Sequence, residues 1–206
     1  MKRVHASARS RGFSLIEVMV ALIVICVGLL GIAKMQALSL SNSTTSRMRS
    51  LAAIEGASLA AAMHSNRQYW ANTAPTTVTV NPGVIASTDA ALAAAATADL
   101  TNLTACFGAP GTTAKCAALP LAALDLARWS TTLNGLLPPP PAPNSMATIS
   151  CPPVAGAPTS CTIQISWGEK AVAVNQQQTA AATSAQCLAS ATGCFQVPTY
   201  TLYVEP

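Results

Sequence analysis

One apolar run near the N-terminus constrains this sequence more than any other feature. It extends from Phe13 to Ala33, contains Glu17 as its single charged residue, and ends at Lys34. A helix needs roughly 20 predominantly apolar residues to cross a bilayer, so the run has the length of one membrane span. An ordinary secretory signal has a shorter apolar region, about 7–15 residues, followed by a small-residue cleavage site. The run therefore predicts a membrane helix.

The charge of the chain is concentrated in front of this run. The net charge is +4, and four of the 11 Lys and Arg residues, Lys2, Arg3, Arg9 and Arg11, precede Phe13 with no acidic residue among them. The seven basic residues that remain balance the seven Asp and Glu residues. This asymmetry predicts a cytoplasmic N-terminus and an exported body. A formally neutral body argues against a nucleic-acid-binding protein, which would carry a Lys/Arg stripe.

Glu17 requires an explanation, because a carboxylate at the bilayer centre costs about 2.5–3.5 kcal/mol on insertion scales. Glu17 lies only four residues into the run, so its side chain could reach the membrane interface. Alternatively, it pairs with a cation inside a helical assembly. Cleavage after Gly12 would create such a cation, the free α-amino group of Phe13.

The residues around this boundary carry a family resemblance. Residues 11–18, Arg-Gly-Phe-Ser-Leu-Ile-Glu-Val, resemble the class III signal of type IV pilins and type II secretion pseudopilins. Residues 27–36, Val-Gly-Leu-Leu-Gly-Ile-Ala-Lys-Met-Gln, resemble the minor pilin family PilV, the type IV pilus modification proteins. The resemblance implies that a prepilin peptidase cleaves between Gly12 and Phe13 and N-methylates Phe13. It also implies that Glu17 neutralises the N-terminal amine of a neighbouring subunit.

The same resemblance implies a place in the cell and a set of partners. The protein would be a single-pass inner-membrane protein with a periplasmic head, later incorporated into an extracellular pilus that serves adhesion and motility. Its partners would be the prepilin peptidase, other minor and major pilins, and a PilY-type tip adhesin, with no nucleic acid and no small-molecule substrate. A minor pseudopilin of type II secretion is the alternative within exported fibres. A periplasmic binding receptor anchored by one helix is the alternative from another class, and it leaves Glu17 unexplained.

The rest of the chain predicts an α+β, pilin-like fold, in which a long N-terminal membrane-spanning helix packs on a disulfide-stapled antiparallel sheet. No proline occurs from residue 13 to residue 74, which favours one helix from Phe13 to about Trp70. Its later part carries apolar residues at three- and four-residue steps. Four segments are predicted: a cleaved leader (1–12), the membrane half of the helix (13–34), its exported amphipathic half (35–72) and the head (73–206).

Local patterns predict several elements within the head. Helices are expected from Thr88 or Asp89 to about Leu103 and from Pro120 to Gly135, on capping and turn signals. Alternation and turn residues predict strands and connectors. These are a strand at 76–80 turning at 81–83, an extended proline run at 138–141, strands at 162–167 and 171–174 that pair across a turn at 168–170, a strand at 197–204, and a polar loop at 176–189.

Seven cysteines bear on the fold. Cys26 lies in the apolar run, where its side chain is expected to act as a small apolar group and not to form a disulfide. The other six form three sequence-neighbour pairs: Cys106/Cys116, Cys151/Cys161 and Cys187/Cys194. An even number in an exported domain implies disulfides, and fifteen connectivities are possible. Pairing between sequence neighbours is predicted, because it closes short loops. A zinc site is not expected, since none of the spacings is the C-x2-C of zinc ribbons.

The sequence offers little for catalysis. It contains no G-x-S-x-G, no phosphate-binding glycine loop and no H-E-x-x-H. His64 is nine residues from Glu55, too far along a helix for the carboxylate to orient it. The other carboxylates of the body are scattered singly. We expect neither an enzyme nor a cofactor.

The class III signal makes a prediction about Gly12. Replacing Gly12 by a bulky residue such as leucine should block removal of the leader, because the peptidase would meet a side chain at the cleavage boundary. Electrophoretic migration in cells that express the peptidase measures this. If the wild-type protein migrates with its leader still attached, just as Gly12→Leu does, the interpretation of residues 11–18 is wrong.

Overall fold

The computed structural model describes residues 12, 14–72, 75–99, 117–153, 156–170, 188–190 and 193–206. The chain divides into two compact units between Ser43 and Thr44, a point that lies within helix α1 (Leu15–Ser65). In its described residues, the first unit consists of Gly12, Ser14 and the part of α1 that ends at Ser43. The described residues of the second unit form the rest of α1, three further helices and two antiparallel sheets, so the expected α+β fold with an N-terminal apolar helix is confirmed.

Asn66 divides the long helix that the sequence predicts. Helix α1 ends at Ser65, and a short helix α2 (Arg67–Trp70) follows. Asn66 itself has non-helical dihedral angles, φ −118° and ψ 52°. Its side-chain amide donates a 2.6 Å hydrogen bond to the carbonyl of Ala118. The predicted single helix to Trp70 was therefore wrong at this residue, because a contact with a distant part of the chain stabilises the break.

The larger sheet has five antiparallel strands in the order β2-β1-β3-β4-β8. Their bounds are β1 (Thr77–Asn81), β2 (Val84–Ser87), β3 (Ala147–Ser150), β4 (Cys161–Ser166) and β8 (Thr199–Val204). Gly83, at φ 72°, allows the tight turn between β1 and β2. A smaller antiparallel sheet has the order β5-β7-β6, formed by β5 (Glu169–Lys170), β6 (Leu188–Ser190) and β7 (Gly193–Gln196).

One face of the larger sheet forms the core of the second unit. Alternate residues such as Val78, Ile149 and Ile163 point inward and are fully buried. They pack with a buried stripe on α1 formed by Ala52, Leu59 and Met63, together with partly buried Met48 and Leu51. The period of the stripe is the helical one that the sequence predicts.

Gly56 allows the sheet to approach α1 closely. A Cβ atom at Gly56 would lie 3.1 Å from Cε1 of Tyr200 on β8. Such a contact is closer than van der Waals packing permits without a shift of the ring. Glycine is normally unfavourable inside a helix, by about 1 kcal/mol relative to alanine, so its presence here is explained by this contact.

The remaining helices of the second unit are α3 (Ala90–Asp99) and α4 (Ala118–Leu136). Asp89 caps α3, because its carboxylate accepts hydrogen bonds from the backbone N–H groups of Ala91 and Leu92. The hydroxyl of Tyr69 donates a 2.6 Å hydrogen bond to the same carboxylate. The Tyr69 hydroxyl and the two backbone N–H groups lower the pKa of Asp89. The pKa of Tyr69 is raised, first because its hydroxyl is buried and second because that hydroxyl donates to the negatively charged carboxylate of Asp89.

Several head elements agree with the predictions. The strands at 76–80 and 162–167 are present as β1 and β4, and the expected last strand is present as β8, beginning after Pro198. The cap at Asp89 is confirmed, whereas the expected end of that helix at Leu103 lies outside the described residues. Helix α4 begins at Ala118, two residues before Pro120, because proline is tolerated throughout a first turn.

Other predictions for the head were wrong. The central strand β3 was not predicted, because its four residues, Ala-Thr-Ile-Ser, are too few for a convincing alternation. Residues 168–170 were expected to form a turn, but Glu169 and Lys170 form β5 and pair with Gln196 and Phe195. Residues 188 and 189 were expected to be the end of a polar loop that begins at residue 176, but they form the start of β6. The strand expected at 171–174 lies outside the described residues.

A disulfide joins Cys151 and Cys161, as the pairing of sequence neighbours predicts. It connects the end of β3 to the start of β4, which are adjacent antiparallel strands. Cys106, Cys116 and Cys187 lie outside the described residues, as does the side chain of Cys194, so the other two predicted pairs stay predictions.

The Cys151–Cys161 disulfide should stabilise the head measurably. Replacing both cysteines by serine should lower the free energy of unfolding by about 2–3 kcal/mol, because the bridge closes a loop of roughly ten residues in the unfolded chain. Urea unfolding followed by tryptophan fluorescence measures the difference. Mass spectrometry of the non-reduced protein is the control: two free thiols at these positions would contradict the bond itself.

The cap at Asp89 should make stability depend on pH. Replacing Asp89 by alanine should lower the free energy of unfolding by roughly 1 kcal/mol at neutral pH. Because the folded state lowers the pKa of Asp89, its contribution is present above the ordinary value of 3.8 and is lost as pH falls below it. The difference in the free energy of unfolding between the wild type and Asp89→Ala should therefore become smaller in acid. Asp89→Asn, which keeps a capping oxygen, is the control, and a gap that widens in acid would contradict this account.

Candidate functional site

The N-terminal boundary of α1 carries the residues that the sequence singles out. Gly12 and Ser14 lie outside the helix and are exposed, and α1 begins at Leu15. The carbonyl of Ser14 accepts hydrogen bonds from the backbone N–H groups of Glu17, at 3.0 Å, and Val18, at 3.3 Å. Phe13 lies outside the described residues. The motif therefore straddles the point where non-helical chain becomes helix.

Gly12 has no steric role in the described part of the chain. Apart from its chain neighbours, no described residue has an atom within 4 Å of a Cβ atom placed there. Its backbone also lacks the positive φ that would favour glycine. Packing within the described residues therefore does not require a glycine at this position.

Glu17 occupies the first turn of α1, and its side chain is exposed. Among the residues that the structure describes, no hydrogen bond or ion pair involves its carboxylate. The N-terminus of a helix carries a partial positive charge, which favours an acidic residue in the first turn. That partial charge is weaker than a full cation, so the carboxylate remains able to bind one.

The surface of α1 that follows Glu17 is apolar and uncovered. Large hydrophobic side chains from Leu15 to Leu40 are exposed, Leu30 for example to 71%. Within the described part of the chain, α1 is the helix long and apolar enough to cross a membrane, by length and composition. An apolar surface of this size normally contacts lipid or other proteins. The carboxylate of Glu17 therefore lies at the start of a surface suited to a bilayer.

Glycines also lie on this uncovered surface. Apart from the adjoining residues of the helix, no described residue has an atom within 4 Å of a Cβ placed on Gly28 or Gly31. Cys26, on the same part of α1, is an exposed free thiol. Small residues on a membrane helix let neighbouring helices approach closely, so this part of α1 is compatible with packing against other helices.

Comparison with known proteins agrees with this geometry. A protein-family profile described as the prokaryotic N-terminal methylation motif matches residues 7–33. The match contains both sides of the expected cleavage boundary, Glu17 and the apolar run to Ala33. No curated protein and no solved structure matches the chain. The motif supports a type IV pilin-like protein, a membrane-anchored structural subunit that a prepilin peptidase processes and that assembles with other pilins.

The structure separates this site from the other candidates. The disulfide between Cys151 and Cys161 lies in the second unit, whereas Gly12 and Glu17 belong to the first. In the described ranges, no group of three or more His, Cys, Asp or Glu side chains could hold a metal ion. Glu55 was considered in the sequence only as a partner for His64. In the structure Glu55 is buried beside α4, a position that no local sequence pattern predicts.

Proposed function

We propose that the protein is a minor pilin of the type IV pilus, resembling the PilV family, that takes part in pilus assembly as a priming or tip subunit. The observation that carries the proposal is the position of Glu17. Its exposed carboxylate lies in the first turn of α1, beside the expected cleavage boundary and at the start of an uncovered apolar helix surface.

The charge distribution supports a topology for this subunit. The four basic residues of the leader precede the span without an acidic residue among them, which favours retention of residues 1–12 in the cytoplasm. The head would then be periplasmic, joined to the span by the exported half of α1. An oxidising compartment suits the disulfide between Cys151 and Cys161.

Processing and assembly follow from the same residues. Cleavage after Gly12 would leave Phe13 as the new N-terminus, with its amine N-methylated and still cationic. In a fibre, the Glu17 carboxylate of one subunit would pair with such an amine on a neighbour, within the low dielectric of packed apolar helices. Pairing removes the cost of an isolated carboxylate in hydrocarbon, so it selects the register between subunits. Other minor and major pilins, and a PilY-type tip adhesin, are the proposed partners.

Glu17→Ala tests this function. The variant should enter the inner membrane and lose its leader normally, but its amount in sheared pili should fall about tenfold or more. A hydrogen bond to a charged group contributes about 1.5–3 kcal/mol, which corresponds to that factor. Quantitative immunoblotting of membrane and sheared-pilus fractions measures the ratio.

A matched control is Glu205→Ala, which removes an exposed carboxylate of the head. It should leave the ratio unchanged. A receptor that is merely anchored by its helix should be absent from sheared pili in every variant, and its insertion should be unaffected or improved by Glu17→Ala. That result would contradict the proposal. Loss of protein secretion rather than of pili on deletion would favour the pseudopilin.

A further inference from the structure

A cavity of about 230 Å³ lies between α1 and α4 in the second unit. Glu55 and Ser58 line it from α1, and Asp125, Arg128, Trp129 and Thr132 line it from α4. Residues three and four positions apart share one face of a helix, so each set faces the other helix. Ser58, Arg128 and Thr132 are exposed, and they form the rim of the cavity.

Glu55 is the residue of this cavity that requires a partner. The residue is only 6% exposed, and no hydrogen bond or ion pair reaches its carboxylate from any described residue. Its backbone carbonyl accepts a 2.9 Å hydrogen bond from the indole N–H of Trp129, which holds the residue against α4. Burial raises the pKa of Glu55. A buried carboxylate without a partner is destabilising, so a cation that entered the cavity would be bound favourably.

The opposite wall adds a second carboxylate. Burial raises the pKa of Asp125, and the positive charge of Arg128 opposes that effect. Burial is the cause of the raised pKa of Glu55, and the charge of Arg128 does not oppose it there. With both acids ionised, the lining therefore has two negative charges and one positive charge. Among the described residues of the lining, the carboxylate of Glu55 is the charged group without an opposite charge beside it.

We propose that this cavity binds an arginine side chain of a neighbouring pilin subunit. Charge complementarity favours a cation, and the planar guanidinium can donate to two carboxylates at once while it packs on an aromatic wall such as Trp129. The volume is several times the roughly 30 Å³ of one water molecule, which suits a side chain. In the described part of the cavity, two carboxylates beside an arginine are a poor set of ligands for a metal ion. The identity of the donor as a pilin subunit rests on the proposed function.

Binding of a blocked arginine tests the cavity itself. The full chain in detergent micelles, with 13C-labelled Glu and Asp carboxyl groups, would be titrated with N-acetyl-arginine methylamide, and with the citrulline analogue as a neutral control of the same shape. The arginine probe should shift the Glu55 resonance saturably and lower the pH of its titration midpoint. The citrulline probe should do neither. Equal shifts with the two probes, or no saturable shift, would overturn the proposal.

Two variants assign the effect to the cavity. Glu55→Gln should weaken binding of the arginine probe about tenfold or more, whereas Glu205→Gln, which changes an exposed carboxylate, should leave it unchanged. Glu55→Gln removes a buried charge without changing size, so the fold should persist, and the Trp129 indole N–H resonance checks this. Equal affinity of Glu55→Gln and wild type would overturn the site.

The source of the arginine is tested in the pilus. With Glu55→Gln, the amount of protein in sheared pili should fall relative to Glu205→Gln, while processing and insertion stay normal. If Glu17→Ala abolishes incorporation into pili but the arginine probe does not bind, the proposed function stands and the cavity proposal is wrong. If the probe binds but Glu55→Gln enters pili normally, a pilin subunit is not the donor.

Discussion

The uncovered apolar surface of α1 is the constraint on which the rest of this protein depends. From Leu15 to Leu40 the helix exposes one large hydrophobic side chain after another. Burial of apolar surface contributes about 25 cal/mol per Å², so this segment requires lipid or the helices of other subunits. A carboxylate among apolar groups is costly unless it is paired, which is the reason the proposed function pairs Glu17 with a cation. The methylation motif at residues 7–33 supports the same explanation.

The second unit is organised by a different part of the same helix. Beyond Thr44, α1 buries one stripe against the sheet, and Gly56 leaves room there for the ring of Tyr200. Trp129 donates its indole N–H to the carbonyl of Glu55, which joins α1 to α4. Asn66 ends α1 and binds the first turn of α4. The proposed cation site is lined by residues of the same two helices, which these hydrogen bonds join.

The predictions from sequence succeeded where the signal was local. The alternation at residues 162–167 was sufficient to find β4, and Asp89 was recognisable as a cap because capping depends on the next three residues. The strand β3 was not predicted, because its four residues are too few to show an alternating pattern. They form a strand by pairing with β1 and β4. The burial of Glu55 was not predicted either, because the residue packs beside α4, where Trp129, 74 residues away, donates a hydrogen bond to its backbone carbonyl.

By itself the sequence determined the apolar span, the single carboxylate within it, the N-terminal methylation motif around its start and the basic residues that precede it. Each of these depends on the order of a few adjacent residues and on the solvent they require. Only the tertiary structure decided that the long helix breaks at Asn66, that β3 is the central strand of the larger sheet, and that Glu55 faces a cavity in which no described residue pairs with its carboxylate. These features arise from contacts between residues far apart in the chain, and the free energy of such contacts cannot be read from local periodicity.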